Sequence, residues 1–314
     1  MLKTNYVEIY KSIQNIKPIK KPILTLGMYD GVHIGHQTII NQLNQIADEV
    51  DGESVLLTFD PHPRMVLQPN CDLKFIYTLE EKQQALAQLG LDHLIIHPFT
   101  KEFSQLSSLE FVRDLLVHQI KIHTLVIGYD HHFGKNREGN YEQLEILSKE
   151  YGFQLVQIEA VDCDDIAVSS TKVRKALTEG NIDYVNKALG CNYPLSGVVV
   201  HGDKIGRTLG FPTANLQVNP LKIIPKDGVY AVNVFVNEQK YLGLLSIGIR
   251  ATVTNTREHR VEVNILDFNQ DIYGKTIRLE FLDRIRDEKK FNGLAELIEA
   301  MNQDKAYAIR TYQK

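Results

Sequence analysis

Between Ile23 and Ile158 the chain alternates short apolar runs with longer stretches whose apolar residues recur at helical spacing. The short runs are Ile23–Leu26, Val55–Phe59, Leu94–His97, Leu125–Ile127 and Phe153–Ile158. Between them, Ile39, Leu43, Ile46 and Val50, or Phe111, Leu115, Leu116 and His118, fall at spacings that set one stripe on a helix face. Strand, helix, strand repeated several times predicts a parallel sheet with helices on both faces. Two short helical patterns follow Ser169, Thr171–Glu179 and Ile182–Leu189, each ending at a glycine, Gly180 or Gly190, that suits a helix C-cap.

The texture changes near Cys191–Pro194. Closely spaced β-type runs follow, Leu195–Val200, Val229–Val236, Tyr241–Ile249, Arg260–Phe268 and Thr276–Phe281, broken by Gly, Asn, Asp and Pro turns. They predict a small antiparallel barrel, against which Leu294, Leu297, Ile298 and Met301 would lay a terminal helix. The expectation is an α/β domain over residues 1–190 and a β-barrel domain over 191–314. A length of 314 residues agrees with two cores.

Charge narrows the partners: Lys and Arg number 35 against 39 Asp and Glu, so no basic field advertises nucleic acid, and any anion site is local. Cys71, Cys163 and Cys191 form no CxxC pair, which points away from a disulfide framework and toward a reducing cytoplasm. The N-terminal residues lack an apolar export core and no long apolar run occurs, so neither export nor a membrane span is expected.

The first apolar run leads straight into Gly27-Met28-Tyr29-Asp30-Gly31-Val32-His33-Ile34-Gly35-His36, where a helix begins. A loop that leaves a parallel strand and feeds a helix N-terminus gathers backbone N–H groups and a positive dipole end, which suits phosphate. Gly27, Gly31 and Gly35 permit close approach of the backbone, Asp30 lies within the turn, and His33 and His36, three apart, can present imidazole donors to one point. On residue type alone such a histidine pair is more often hydrogen-bonded structure. His131-His132 is read against metal binding, because adjacent side chains rarely aim at one ion. Ser169-Ser170-Thr171 suits a helix N-cap, and with Arg174 one turn on it is also a second phosphate-binding helix start.

The string Asp30-Gly31-Val32-His33-Ile34-Gly35-His36-Gln37 resembles the HxGH loop of the nucleotidyltransferase superfamily in its FAD synthetase branch. Three further segments resemble that branch in the same order. Thr58-Phe59-Asp60-Pro61-His62-Pro63-Arg64 is similar to its TFxPHP loop, Gly128-Tyr129-Asp130-His131-His132-Phe133-Gly134 to its flavin-side loop, and Ser169-Ser170-Thr171-Lys172-Val173-Arg174 to its SSTxIR motif. The resemblance implies a Rossmann-like domain in which Gly27, Asp30, Gly31, Gly35, Ser170 and Thr171 hold ATP phosphates. It further implies that His33, His36 and Arg174 stabilise the transferring group and that Asp60, His62, Pro63, Arg64, Asp130 and Phe133 contact flavin.

In the second domain, Gly202–Leu216 is glycine-rich without Walker A or protein-kinase spacing. Thr213 and Asn215, two apart, share a face if extended and offer hard oxygens to a cation such as Mg²⁺. Gly210-Phe211-Pro212-Thr213-Ala214-Asn215 resembles the GxPTAN motif of riboflavin kinases, which implies Mg²⁺ at Thr213 and Asn215 and ATP phosphates near Gly206, Gly210 and Pro212. Arg260–Phe268 alternates, with Val261, Val263 and Ile265 on one face and Glu262 and Asn264 on the other; it resembles the kinase stretch whose glutamate is the general base, which assigns that role to Glu262.

The sequence departs from these families at Tyr29, where Phe is usual, at Ile249–Val253, which lacks an RPTF-like turn, and at Asn264, where His is common. The resemblance implies a two-step transferase, riboflavin to FMN and FMN to FAD, with ATP as co-substrate, Mg²⁺ as cofactor, no nucleic-acid or membrane partner, and self-association left open. Two alternatives stand beside it: a nucleotidyltransferase for another phosphorylated substrate, and a non-catalytic flavin-binding protein.

Overall fold

The computed structural model describes residues 6–68, 70–128, 134, 139–158, 162–163, 166–202, 210–251 and 257–313. By packing, the chain forms two compact units, one of Met1–Leu73 with Leu79–Ser169 and one of Lys74–Thr78 with Ser170–Lys314.

The first unit is built on a six-stranded sheet: β1 (Glu8–Tyr10), β2 (Pro22–Leu26), β3 (Glu53–Asp60), β4 (His93–Pro98), β5 (Thr124–Gly128) and β6 (Gln154–Ile158). Their order is β1-β4-β3-β2-β5-β6, and every pairing is parallel. The five expected strands are all present; β1, only three residues long, was not anticipated. Helices α1 (Ile34–Glu49), α2 (Pro63–Leu67), α3 (Leu79–Gln88) and α4 (Ser108–Glu110) follow, with α4 running on as a π-helix over Phe111–Ile120, and then α5 (Tyr141–Tyr151). The central strand β2 is buried at all five positions, as a run covered on both faces requires. Leu24, Leu57, Ile95, Leu116, Leu125 and Leu144 belong to one core beneath the helices. The strand order turns around at β2, between β3 on one side and β5 on the other, so the loop leaving β2 opens at the switch point where open sheets bind ligands. Asp162–Cys163 (β7) and Ile166–Ala167 (β8) form a short antiparallel ribbon.

The second unit begins with α6 (Ser170–Glu179) and α7 (Ile182–Leu189), whose C-terminal Gly180 and Gly190 adopt φ of 78° and 68°. Strands β9 (Pro194–Val200), β10 (Ala214–Val218), β11 (Gly228–Val236), β12 (Gln239–Ala251), β13 (Arg257–Ile265) and β14 (Thr276–Arg286) close a barrel ordered β10-β13-β12-β11-β14-β9. Every pairing is antiparallel. Tyr193, Tyr230 and Phe281 are fully buried, and the Tyr230 and Phe281 rings meet edge to face at 5.1 Å. Helix α8 (Leu294–Tyr312) packs on β12, and its Ala308 joins Leu244 of β12 and Ala231 of β11 in one buried cluster. The segment Lys74–Thr78 is stitched to this unit: Phe75 N–H donates to Leu221 O at 2.7 Å, and the buried Lys222 donates to Ile76 O at 2.6 Å.

Candidate active sites

In the first unit, the loop from β2 to α1 holds Tyr29, Gly31 and Val32 at φ of 47°, 83° and 42°. A β-branched valine in that region is an outlier that only a rigid surrounding sustains, and such strain gathers at ligand-binding turns. The loop then places His33 as the N-cap of α1, where its Nδ1 accepts the backbone N–H of His36 at 3.4 Å. With Nδ1 accepting, the proton of a neutral ring sits on Nε2, so His33 keeps one donor to offer. His33 and His36 stack at 3.7 Å between centroids, and Tyr29 stacks on the other side of His36 at 4.4 Å, its hydroxyl paired with Thr25 at 3.1 Å. Burial, only partly offset by the charge of Asp30, brings the His33 pKa down to about 4. Burial first, then the charges of His33 and Lys82, holds His36 well below its ordinary value. Both rings are therefore neutral donors near pH 7, set at the opening turn of α1, the positive end of its dipole.

Gly27, Asp30, His33, Gly35 and His36 thus come together in one loop. A Cβ on Gly27 would lie 3.1 Å from the Tyr29 ring, so glycine lets the turn close beneath it. Asp30 is buried. At the end of β3, Asp60 is exposed, and His62 caps α2 by accepting the Arg64 N–H at 3.0 Å, with Pro63 as the first helical residue. One residue that the sequence reading passed over enters this site. Lys82 on α3 is buried, and its Nζ donates to Met28 O at 3.2 Å and to Thr58 Oγ1 at 3.4 Å. Asp130 and Phe133 lie outside the described residues.

In the second unit, Ser170, Thr171 and Arg174 occupy the opening turns of α6, and Arg174 Nε donates to Lys74 O at 3.2 Å. Thr171 is exposed at the helix start.

The barrel brings the second constellation together. Strand β10 begins directly after Thr213, and the register pairs Asn215 with Glu262 across β10 and β13. The Thr213 hydroxyl donates to Glu262 Oε2 at 3.4 Å, while Arg260 Nη1 reaches Glu262 Oε1 at 3.0 Å. The Val261–Val263–Ile265 face is buried as expected, but the opposite face is not left to solvent. Asn264 is buried as well, because its amide donates to Pro212 O at 2.7 Å and ties the GxPTAN segment to β13. Gly202 leaves room for Asn215: a Cβ there would lie 2.6 Å from its Cγ. Beside Thr213 opens a cavity of about 650 Å³, lined among others by Pro212, Val263, Ile265, Phe268 and Tyr273. That volume falls in the range of sites that hold a cofactor-sized molecule. Gly210 adopts a φ of 80°, with open space where its side chain would be. Gly206 lies outside the described residues.

Hard oxygen donors at Thr213 and Asn215, beside the Glu262 carboxylate, fit a small divalent cation held with phosphate. Donation of the Thr213 proton to Glu262 leaves its lone pairs for such an ion, and the glycine at 202 keeps the space that a Cβ would fill. Among the described residues there is no cluster of three or more His, Cys, Asp or Glu that could hold a metal by itself.

A family model for FAD synthetase matches residues 16–172, and one for riboflavin kinase matches residues 189–312. A bifunctional riboflavin kinase/FMN adenylyltransferase of Listeria monocytogenes is 40% identical over 283 residues, 90% of each chain. One of the same description from Bacillus subtilis is 39% identical over 296 residues, 93% of each chain. A Streptococcus pneumoniae crystal structure described as a macrolide-efflux protein is 33% identical, with a TM-score of 0.89 over 98% of this chain and 99% of that one. Among the described residues of this chain, no helix is long and apolar enough to cross a membrane.

Proposed function

Because the chain belongs to the bifunctional riboflavin kinase/FMN adenylyltransferase family, carrying an FAD synthetase domain followed by a riboflavin kinase domain, we propose that it makes FMN from riboflavin and then FAD from FMN. We assign adenylyl transfer to residues 1–190 and phosphoryl transfer to residues 191–314, in the cytoplasm, a division drawn from the two sets of motifs; packing groups Ser170–Leu189 with the barrel. The observation that carries the reading is the pairing of two built sites, a neutral histidine stack at a helix start and a Thr–Asn–Glu cluster beside a cavity.

In adenylyl transfer the FMN phosphate, with a second pKa near about 6, is already a nucleophile, so no base is needed. What remains is alignment with the α-phosphorus of ATP and stabilisation of charge that spreads onto the leaving pyrophosphate. His33 donates from Nε2, His36 is held in register by the stack, and the α1 amides face the phosphates. Gly27, Gly31 and Gly35 let the backbone approach, and Ser170, Thr171 and Arg174 are the further phosphate donors we assign. Asp60, His62, Pro63, Arg64, Asp130 and Phe133 are assigned to the flavin.

Phosphoryl transfer differs, because the riboflavin hydroxyl must lose a proton as it attacks the γ-phosphorus. Glu262 is the base, held by Thr213 and Arg260. Thr213 and Asn215 would hold Mg²⁺, which when bound neutralises phosphate charge. Pro212, Gly206 and Gly210 shape the phosphate loop, and Asn264 fixes its carbonyl. His36→Ala is expected to let FMN accumulate without FAD, and Glu262→Ala to stop FMN formation while supplied FMN is still adenylylated. Loss of both steps in either folded variant would overturn the division.

A further inference from the structure

A lysine buried to 7% exposure inside an α/β unit costs free energy unless it has partners, and Lys82 has them at both ends of the adenylyl-transfer loop system. Its Nζ donates to Met28 O in the β2–α1 turn at 3.2 Å and to Thr58 Oγ1 on β3 at 3.4 Å. Those two acceptors lie on the segments that begin the HxGH-like and TFxPHP-like motifs, and Thr58 is itself fully buried. Burial draws the Lys82 pKa below its ordinary value, and the negative charges of Asp30 in the turn and Asp60 at the strand end oppose that loss. On the facing helix start, the same ammonium adds to the forces that hold His36 neutral.

We propose that Lys82 is a positioning residue of the adenylyl-transfer site, a buried cation that pins the Met28 carbonyl and the Thr58 hydroxyl so that the histidine loop and the flavin-side end of β3 keep one fixed geometry. The inference rests on the adenylyl-transfer reading above. It needs no contact between Lys82 and substrate: the turn it pins contains Tyr29 and Val32 at positive φ, which revert to ordinary backbone angles if nothing holds them. A displacement of about 1 Å at a positioned group costs about a hundredfold in rate. Removal of the ammonium also takes away one charge that opposes protonation of His36, while His33 and Tyr29 still stack on its ring.

Lys82→Met and Lys82→Arg in the full chain test this, with circular dichroism and urea unfolding as the measure of folding and riboflavin kinase activity in the second domain as the internal control for specificity. For Lys82→Met the expected result is an about hundredfold loss in kcat for FMN adenylylation, unchanged kinase activity, and an upward move of the His36 titration seen by NMR of the imidazole. Lys82→Arg, which keeps the charge, is expected to recover part of the rate and to leave His36 in place. Adenylylation by Lys82→Met within about threefold of wild type would overturn the inference. If that variant fails to fold, losing the native circular dichroism signal, Thr58→Val removes only the hydroxyl, and an unchanged adenylylation rate there would overturn it equally. Absence of adenylylation in the wild-type chain would instead strike the underlying reading.

Discussion

Gly202→Ala separates the chemistry of the barrel site from the stability of its fold. The added Cβ would stand 2.6 Å from Cγ and 2.9 Å from Oδ1 of Asn215, where ordinary contact begins at 3.4 Å. The atoms in the way are the outer end of one side chain, so the backbone of β10 can stay while the carboxamide retreats by about an ångström. Its neighbours in the site, Glu262 on the paired strand β13 and Thr213 bonded to that carboxylate, do not follow. Misplacement of that size costs about a hundredfold when the group must meet a phosphate-bound cation. Stability should change by less than about 1 kcal/mol, because no buried apolar group is removed. Initial rates of FMN formation from riboflavin and ATP over a range of Mg²⁺ concentrations, beside urea unfolding, measure both quantities. The expected outcome is a weakened Mg²⁺ dependence and a hundredfold fall in kinase activity, with adenylylation of supplied FMN intact. Full kinase activity in Gly202→Ala would refute the placement of Asn215 in the site.

Two further outcomes follow from the same reasoning. His33 has a pKa of about 4 in the folded chain against an ordinary 6.5, so the unfolded state binds more protons as pH falls through that window. Stability contributed by the neutral ring is present above pH 6.5 and is lost toward pH 4, by about 3 kcal/mol; His33→Asn, which keeps an N-cap, should show correspondingly less pH dependence in urea unfolding, and equal slopes would contradict the assignment. Asp304, buried on α8, takes a forked contact from Arg286, with Nε at 3.0 Å and Nη2 at 2.8 Å. Asp304→Ala leaves that guanidinium with the Asp287 carbonyl and the Phe291 ring but no carboxylate in the fork, and should destabilise the chain by about 3 kcal/mol in urea unfolding, where a loss below about 1 kcal/mol would count against the latch.

The sequence carried the parts of this account that repeat or punctuate. Strands β2 to β5 announced themselves as apolar runs because both their faces are covered, and Gly180 and Gly190 marked helix ends because only a left-handed cap calls for glycine there. Strand β1 was missed because three residues at a sheet edge are too few to show a period. Strand β10 is absent from the β-type runs because its first residues, Ala214 and Asn215, belong to a glycine-rich motif that shows no apolar alternation. Helix α8 extends past Met301 to Tyr312 because Ala300, Asp304 and Ala308 line its buried side, and an aspartate in that row breaks the apolar signal. Asn264 and Lys82 share a cause: polar residues on a strand and a helix read as solvated, and only long-range partners, Pro212 for one and Met28 with Thr58 for the other, reveal them as buried.

The most direct measurement follows the label. Riboflavin with ATP radiolabelled at the γ-phosphorus, and separately FMN with ATP radiolabelled at the α-phosphorus, are incubated with the chain and the flavins resolved. The account expects γ-label in FMN, α-label in FAD with unlabelled pyrophosphate released, and loss of the first transfer alone in Glu262→Ala and of the second alone in His36→Ala. Label from the γ-position appearing in the adenylyl half of FAD, or α-label failing to reach FAD, would contradict it.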